Sequence, residues 1–129
     1  MTHYNSMNVL SMHALIAAYS KEGMEWVDEL RTVLDTNISY AMEFIRREFP
    51  GVSVSRPQGT YMLFLDCTDW CEAHHQTIEE LQRAGVEVGV IWQDGRPSHG
   101  ACPIRVNLAL PHSRVKEAFA RLKQYVFLD

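Results

Sequence analysis

No apolar run in these 129 residues approaches the roughly twenty needed to cross a bilayer. The N-terminal "MTHYNSMN" lacks the charged-then-apolar order of a signal peptide. Basic charge is sparse: twelve Lys and Arg never form a run longer than Arg46-Arg47, and the net charge is −4. A nucleic-acid or anionic-membrane surface is therefore not expected, because both require a concentrated basic face. Cysteines number only three, Cys67, Cys71 and Cys102. An odd count without a secretion signal argues for reduced thiols and a cytoplasmic setting. The phosphate-cradling patterns GxGxxG and GxxxxGK[ST] are missing, as are the GxSxG nucleophile elbow and the HExxH metal pair. There is no internal repeat and no low-complexity linker.

What is present is an ordinary globular composition, 47% apolar and 22% charged, long enough to bury a core. Residues 8–20 read as a short apolar helix capped by Ser6 or Asn8, with Gly23 separating it from a long helical pattern over 24–49. Phe49-Pro50-Gly51 stops that helix. "VSVS" and "TYMLFLD" follow as strands. In the second, Tyr61, Leu63 and Leu65 share one face, Met62 and Phe64 the other, which suggests cover on both sides. Asp69 can cap a helix running to Ala84 and ended by Gly85. "VEVGVIW" and "IRVNLAL" complete four strands. Ser113 caps a last helix with an apolar stripe of Val115, Phe119, Leu122 and Val126. This order predicts an α+β two-layer sandwich, a small, mostly antiparallel sheet of about four strands covered by helices.

One residue breaks the apolar pattern. Arg105 sits mid-strand with Asn107 two residues on, so the two share a face, while Ile104, Val106 and Leu108 take the core side. A guanidinium on a rigid strand is suited to holding a carboxylate through two parallel hydrogen bonds. The other reading is a structural ion pair with an acid such as Asp66, and spacing alone favours it. Cys71, His74 and His75 are metal-capable and share a helix face, but no knuckle spacing accompanies them, and an exposed polar face with small buried thiols is preferred. Glu79-Glu80 and Asp66-Asp69 read as a helix surface and a cap. His99 is a lone loop histidine. The residues alone supply no convincing nucleophile, base or cofactor cradle.

"PQGTYMLFLD", "RAGVEVGV" and "IRVNLALP" together resemble the C-terminal small domain of fold-type I pyridoxal-phosphate enzymes. The nearest branch is the cystathionine β-lyase-like C–S lyases among class I/II aminotransferases. The upstream Ala17-Ala18-Tyr19, Glu25-Trp26 and Asn37 extend the resemblance over nearly the whole chain, and its most specific element is Arg105-x-Asn107-x-Ala109-x-Pro111. The resemblance implies that Arg105 binds the α-carboxylate of an amino-acid substrate, with Asn107 in support and Tyr61 close to the site, which reverses the preference drawn from spacing. It implies residues 1–23 as a helical segment joining a large domain and 24–129 as the small domain. It also implies pyridoxal 5′-phosphate on a lysine of that large domain and a homodimeric parent. Lys21, Lys116 and Lys123 do not match that lysine, so this chain alone is expected to bind no cofactor or metal and to be inert. Ser98-His99-Gly100 departs from the family's aromatic-glycine loop. The alternative is a freestanding α+β module that binds a small carboxylate or amino acid without catalysis.

Overall fold

The computed structural model describes residues 7–95 and 102–128. In chain order its elements are α1 (Val9–Ala18), α2 (Lys21–Glu48), β1 (Ser53–Val54), β2 (Met62–Asp66), α3 (Thr68–Ala73), α4 (Ile78–Glu87), β3 (Gln93–Asp94), β4 (Pro103–Asn107) and α5 (His112–Tyr125). The four strands form one antiparallel sheet of order β1-β2-β4-β3. The α+β class expected from the sequence is the one observed. Two compact units divide between Thr32 and Val33, within α2.

In the first unit, Asn8 caps α1 by accepting from the Ser11 N–H at 2.8 Å. None of the ten residues of α1 is buried, although eight of them are Val, Leu, Met, Ile or Ala along "VLSMHALIAA". Ser20, not Gly23, marks the break between helices: its Oγ accepts from the Gly23 N–H at 3.1 Å, so Gly23 lies in the first turn of α2. A Cβ there would sit 2.5 Å from the Ala18 carbonyl oxygen and 2.6 Å from that of Ala17. The backbone can approach these carbonyls so closely only because the position has no side chain.

In the second unit, Ile38, Ala41, Met42 and Ile45 of α2 join Val115, Phe119 and Leu122 of α5 and the inner sheet residues Leu63, Leu65, Ile104 and Val106 in one core. Phe49 stacks on Phe127 at 4.2 Å and on Phe119 at 6.0 Å. Gly51, at φ +74, turns the chain off α2. The apolar stripe expected for α5 is buried, but the helix begins at His112 behind Pro111, and Ser113 is inside it rather than capping it.

Five local expectations give way to packing. The helix predicted over 69–84 is two helices, broken where His75 adopts φ 52 and Thr77 restarts the chain. Thr77 Oγ1 accepts from the Glu80 N–H while Glu80 Oε2 accepts from the Thr77 N–H, a reciprocal cap that favours a fresh N-terminus over continuation. At the head of α3 it is Asp66, not Asp69, whose carboxylate accepts from the Thr68 N–H. Gly85 does not end α4. It lies inside the helix, where a Cβ would meet the Trp92 ring at 2.3 Å, and the left-handed exit falls at Gly89, φ +78. Consequently "VEVGVIW" is not a strand. Val86 and Glu87 finish α4, Val90 and Trp92 plug the core, and pairing begins only at Gln93. Nor is β2 covered on both sides among the described residues: Leu63 and Leu65 are fully buried, whereas Phe64 remains 41% exposed.

Candidate functional site

Among the described residues the sheet has one face packed and one open, and the open face carries the candidate site. Antiparallel register places Phe64 of β2 and Gln93 of β3 on either side of Arg105 of β4, so the three form a row across the sheet. Arg105 is half-buried, while its strand neighbours Ile104 and Val106 are buried beneath it. Its Nε donates to Gln93 Oε1 at 2.8 Å, and Nη2 donates to the same oxygen. One carbonyl oxygen thus takes the lateral edge of the guanidinium and fixes its plane. The terminal edge, Nη1 and the outer N–H of Nη2, is the edge that meets a carboxylate through two parallel bonds. Asp66, the acid considered for an ion pair, stands opposite Pro103 rather than Arg105 and turns to Thr68, accepting from its N–H at 3.0 Å and its hydroxyl at 2.6 Å.

Asn107 shares the face of Arg105, as its spacing requires, and stands opposite Met62. Its Oδ1 accepts from the Ala109 N–H at 2.8 Å, so the amide turns the chain at the end of β4. Tyr61 precedes β2, is 44% exposed, and accepts the Leu108 N–H on its backbone oxygen at 2.9 Å. By alternation it falls with Leu63 and Leu65, so the register brings Arg105 and Asn107 together on one face without Tyr61. His99 and its loop lie outside the described residues.

The structural roles of two residues escaped the sequence reading, in which Gln93 was not singled out and Asn37 entered only as part of the resemblance. Gln93 had no visible role without the register, since it follows an apparent strand by one position. Asn37 carried a legible signal: it lies four residues before Ala41 and eight before Ile45, on the buried stripe of α2. It is fully buried and fully bonded. Its Nδ2 donates to the Leu108 and Leu110 carbonyls, both at 2.9 Å, and its Oδ1 accepts from His112 Nδ1 at 2.8 Å. A single amide therefore holds the segment that leaves the arginine-bearing strand.

The lysines do not fit a covalently held cofactor. Lys21 faces Glu25 at 3.6 Å, Lys123 pairs with Glu48 at 2.5 Å, and Lys116 lies over the Tyr40 ring at 5.7 Å. All three stand on helices, and none belongs to the row of Arg105. Among the described residues no group of three or more His, Cys, Asp or Glu could hold a metal ion. His74 instead stacks on Trp70 at 4.3 Å, its Nδ1 2.8 Å from the Trp70 carbonyl oxygen. The three cysteines are free and buried. Burial, and then contact with Cys102, pushes the Cys71 thiol up to about 12; burial raises Cys67 as well.

A small antiparallel sheet with helices on one face is the architecture of the small domain of aminotransferase-fold enzymes. No protein-family model matches the chain. Individual proteins do. Cystathionine β-lyase PatB of Bacillus subtilis (strain 168) is 28% identical over 120 residues, which is 91% of this chain and 30% of that protein. Protein MalY of Escherichia coli (strain K12) is 29% identical over 121 residues, 92% of this chain and 30% of its own length. The crystal structure of the pyridoxal-phosphate-bound C–S lyase of Staphylococcus hominis superposes with a TM-score of 0.80 at 27% identity, covering 94% of this chain and 32% of that one. The chain thus spans about a third of the length of the proteins it matches. It aligns with the C-terminal part of pyridoxal-phosphate-dependent C–S lyases and aminotransferases.

Proposed function

We propose that this chain supplies the substrate-carboxylate anchor of a pyridoxal-phosphate-dependent amino-acid enzyme. The reaction is β-elimination from a sulfur amino acid such as cystathionine, or transamination. The observation that carries the reading is the posture of Arg105: half-exposed on the outward face of β4, with its lateral edge held by Gln93, so that the terminal edge is the one that would meet a carboxylate. Residues 24–129 act as the small domain, and 1–23 join it to a large domain that brings the cofactor lysine. In the assembled enzyme, a cytoplasmic homodimer in this proposal, the cofactor supplies the electron sink for the charge left when the α-proton departs. Arg105 grips the α-carboxylate, which fixes the orientation of the Cα–H bond about to break. Asn107 keeps the end of β4 in place, and Tyr61 lies at its border. Alone, the chain turns over no amino acid.

Each hydrogen bond to a charged group contributes about 1.5–3 kcal/mol, so a two-bond fork corresponds to at least two orders of magnitude in binding or rate. Sequencing the coding DNA upstream of Met1 is the first test. An open frame leading into a lysine-bearing domain supports the proposal, and Arg105→Ala in that product should lower kcat/KM about 100-fold or more. A stop codon and ribosome-binding site directly before Met1 would favour the freestanding carboxylate-binding module. That module requires saturable amino-acid binding by the chain alone, abolished by Arg105→Ala.

A further inference from the structure

Away from the face that carries Arg105, Cys71 of α3 and Cys102, the residue that precedes β4, hold their sulfurs 2.7 Å apart. Ordinary non-bonded sulfurs stand well beyond this, and a disulfide would bring them to about 2.05 Å. The third cysteine, Cys67, is also buried but engages Cys102 through its backbone: its N–H donates to the Cys102 carbonyl at 3.1 Å. Both Cys71 and Cys102 line a cavity of about 540 Å³, together with Thr68, Glu72, His75 and Gln76. A small neutral molecule can therefore reach the thiol pair.

We infer that Cys71 and Cys102 form a reversible disulfide when a small hydroperoxide enters this cavity, tying α3 to the start of the arginine-bearing strand. One thiolate sulfur attacks the peroxide O–O bond, becoming a sulfenic acid and releasing hydroxide, which takes up the proton that left the thiol. The neighbouring thiol then attacks that sulfur. The S–S bond forms, the S–O bond breaks, and water leaves with the second proton. Overall, two thiols and one hydrogen peroxide give one disulfide and two waters. The thiolate is the reacting form, and the raised Cys71 thiol makes it scarce near neutrality. The pair therefore closes slowly, under sustained oxidation, and faster as pH rises. The bond encloses a sequence separation of 31 residues, so the oxidised chain should melt at higher temperature than the reduced one.

The test treats the folded chain with hydrogen peroxide, then counts thiols after denaturation and maps peptides by mass. Expected are a loss of 2 Da, a fall from three free thiols to one, and a Cys71–Cys102 linked peptide pair that dithiothreitol reopens. Cys67→Ala should form the same link, and Cys71→Ser should instead gain oxygen at Cys102. The same treatment in denaturant is the control, where the close neighbours Cys67 and Cys71 compete for pairing. A folded chain that links Cys67, gains only oxygen on its sulfurs, or keeps three thiols would overturn the inference.

Discussion

Replacing Asn37 with alanine should be the most damaging single polar deletion in the second unit. The magnitude follows from three contacts. The Leu108 carbonyl, which Nδ2 meets at 2.9 Å, is buried, and losing its donor there costs about 1–3 kcal/mol. The Leu110 carbonyl is only partly buried, so water can replace the amide, and the loss is about 0.5–1 kcal/mol. His112 Nδ1, 2.8 Å from Oδ1, is likewise partly buried and loses a similar amount. Together Asn37→Ala should destabilise the chain by about 3 kcal/mol. In urea, with a slope of about 1.5 kcal/mol/M, the unfolding midpoint should fall by about 2 M at unchanged slope. Ser39→Ala, two residues along the same helix but on its exposed side, should shift the midpoint only slightly. A loss below about 0.5 kcal/mol for Asn37→Ala would mean that water already serves these carbonyls, and the amide clamp would have to be abandoned.

Gly85→Ala should destabilise by about 1–2 kcal/mol, because overpacking against the Trp92 ring at 2.3 Å outweighs the usual gain from replacing a helical glycine; a rise in melting temperature would contradict the packing described. Acid should weaken the fold through carboxyls held below their ordinary value of 4.5: Glu48 by its bonds to Lys123 and Arg47, Glu80 by the Thr77 N–H and hydroxyl, and Glu117 by Arg114 and Arg121. Since each is lowered on folding, its stabilisation is complete above about pH 5 and lost as pH falls through the folded value, so melting temperature should be level at neutrality and decline below. Glu-to-Gln changes at the three should flatten that decline, and an unchanged acid limb would refute their part in it. Chelator should leave melting unchanged, as the described residues offer no metal group; a fall in melting temperature would restore the Cys71–His74–His75 reading.

The parts of the fold that local pattern could reveal were those whose local preference agrees with their packing. The apolar stripe of α5 and the alternation of Ile104, Arg105, Val106 and Asn107 are periodicities that a single segment carries within itself. The segments that misled are those in which a distant residue decides. Val86, Val88 and Val90 look like a strand, yet Gly85 accepts the face of Trp92 and Gly89 supplies the left-handed exit, so the helix runs on and the valines serve its end. Asp69 is as good a cap as Asp66 by composition, and only the turn out of β2 selects between them. Arg105 itself was visible as an anomaly. The oxygen that orients it was not, because Gln93 and Arg105 lie twelve residues apart and meet only through strand register.

That register also resolves the cost of an arginine in the middle of a strand. A fully buried, unpaired guanidinium would be prohibitive, but a sheet covered on one side can carry one at little cost if the alternation points it outward. Here Ile104 and Val106 meet the core and Arg105 does not. The cost then depends on what covers the open face. Any surface laid over Phe64, Met62 and Arg105 gains from the apolar pair and loses from desolvating the cation unless an anion arrives with it. An amino-acid carboxylate is such an anion, and the lateral bond from Gln93 holds the guanidinium ready before it comes. Gln93→Glu should expose this balance. A carboxylate in that place would neutralise Arg105 from within the sheet and leave its pull on an incoming anion weakened. In the assembled enzyme KM should rise well above kcat's change, while Gln93→Ala should cost less than Gln93→Glu. Equal effects of the two would show that Gln93 does not act through the arginine.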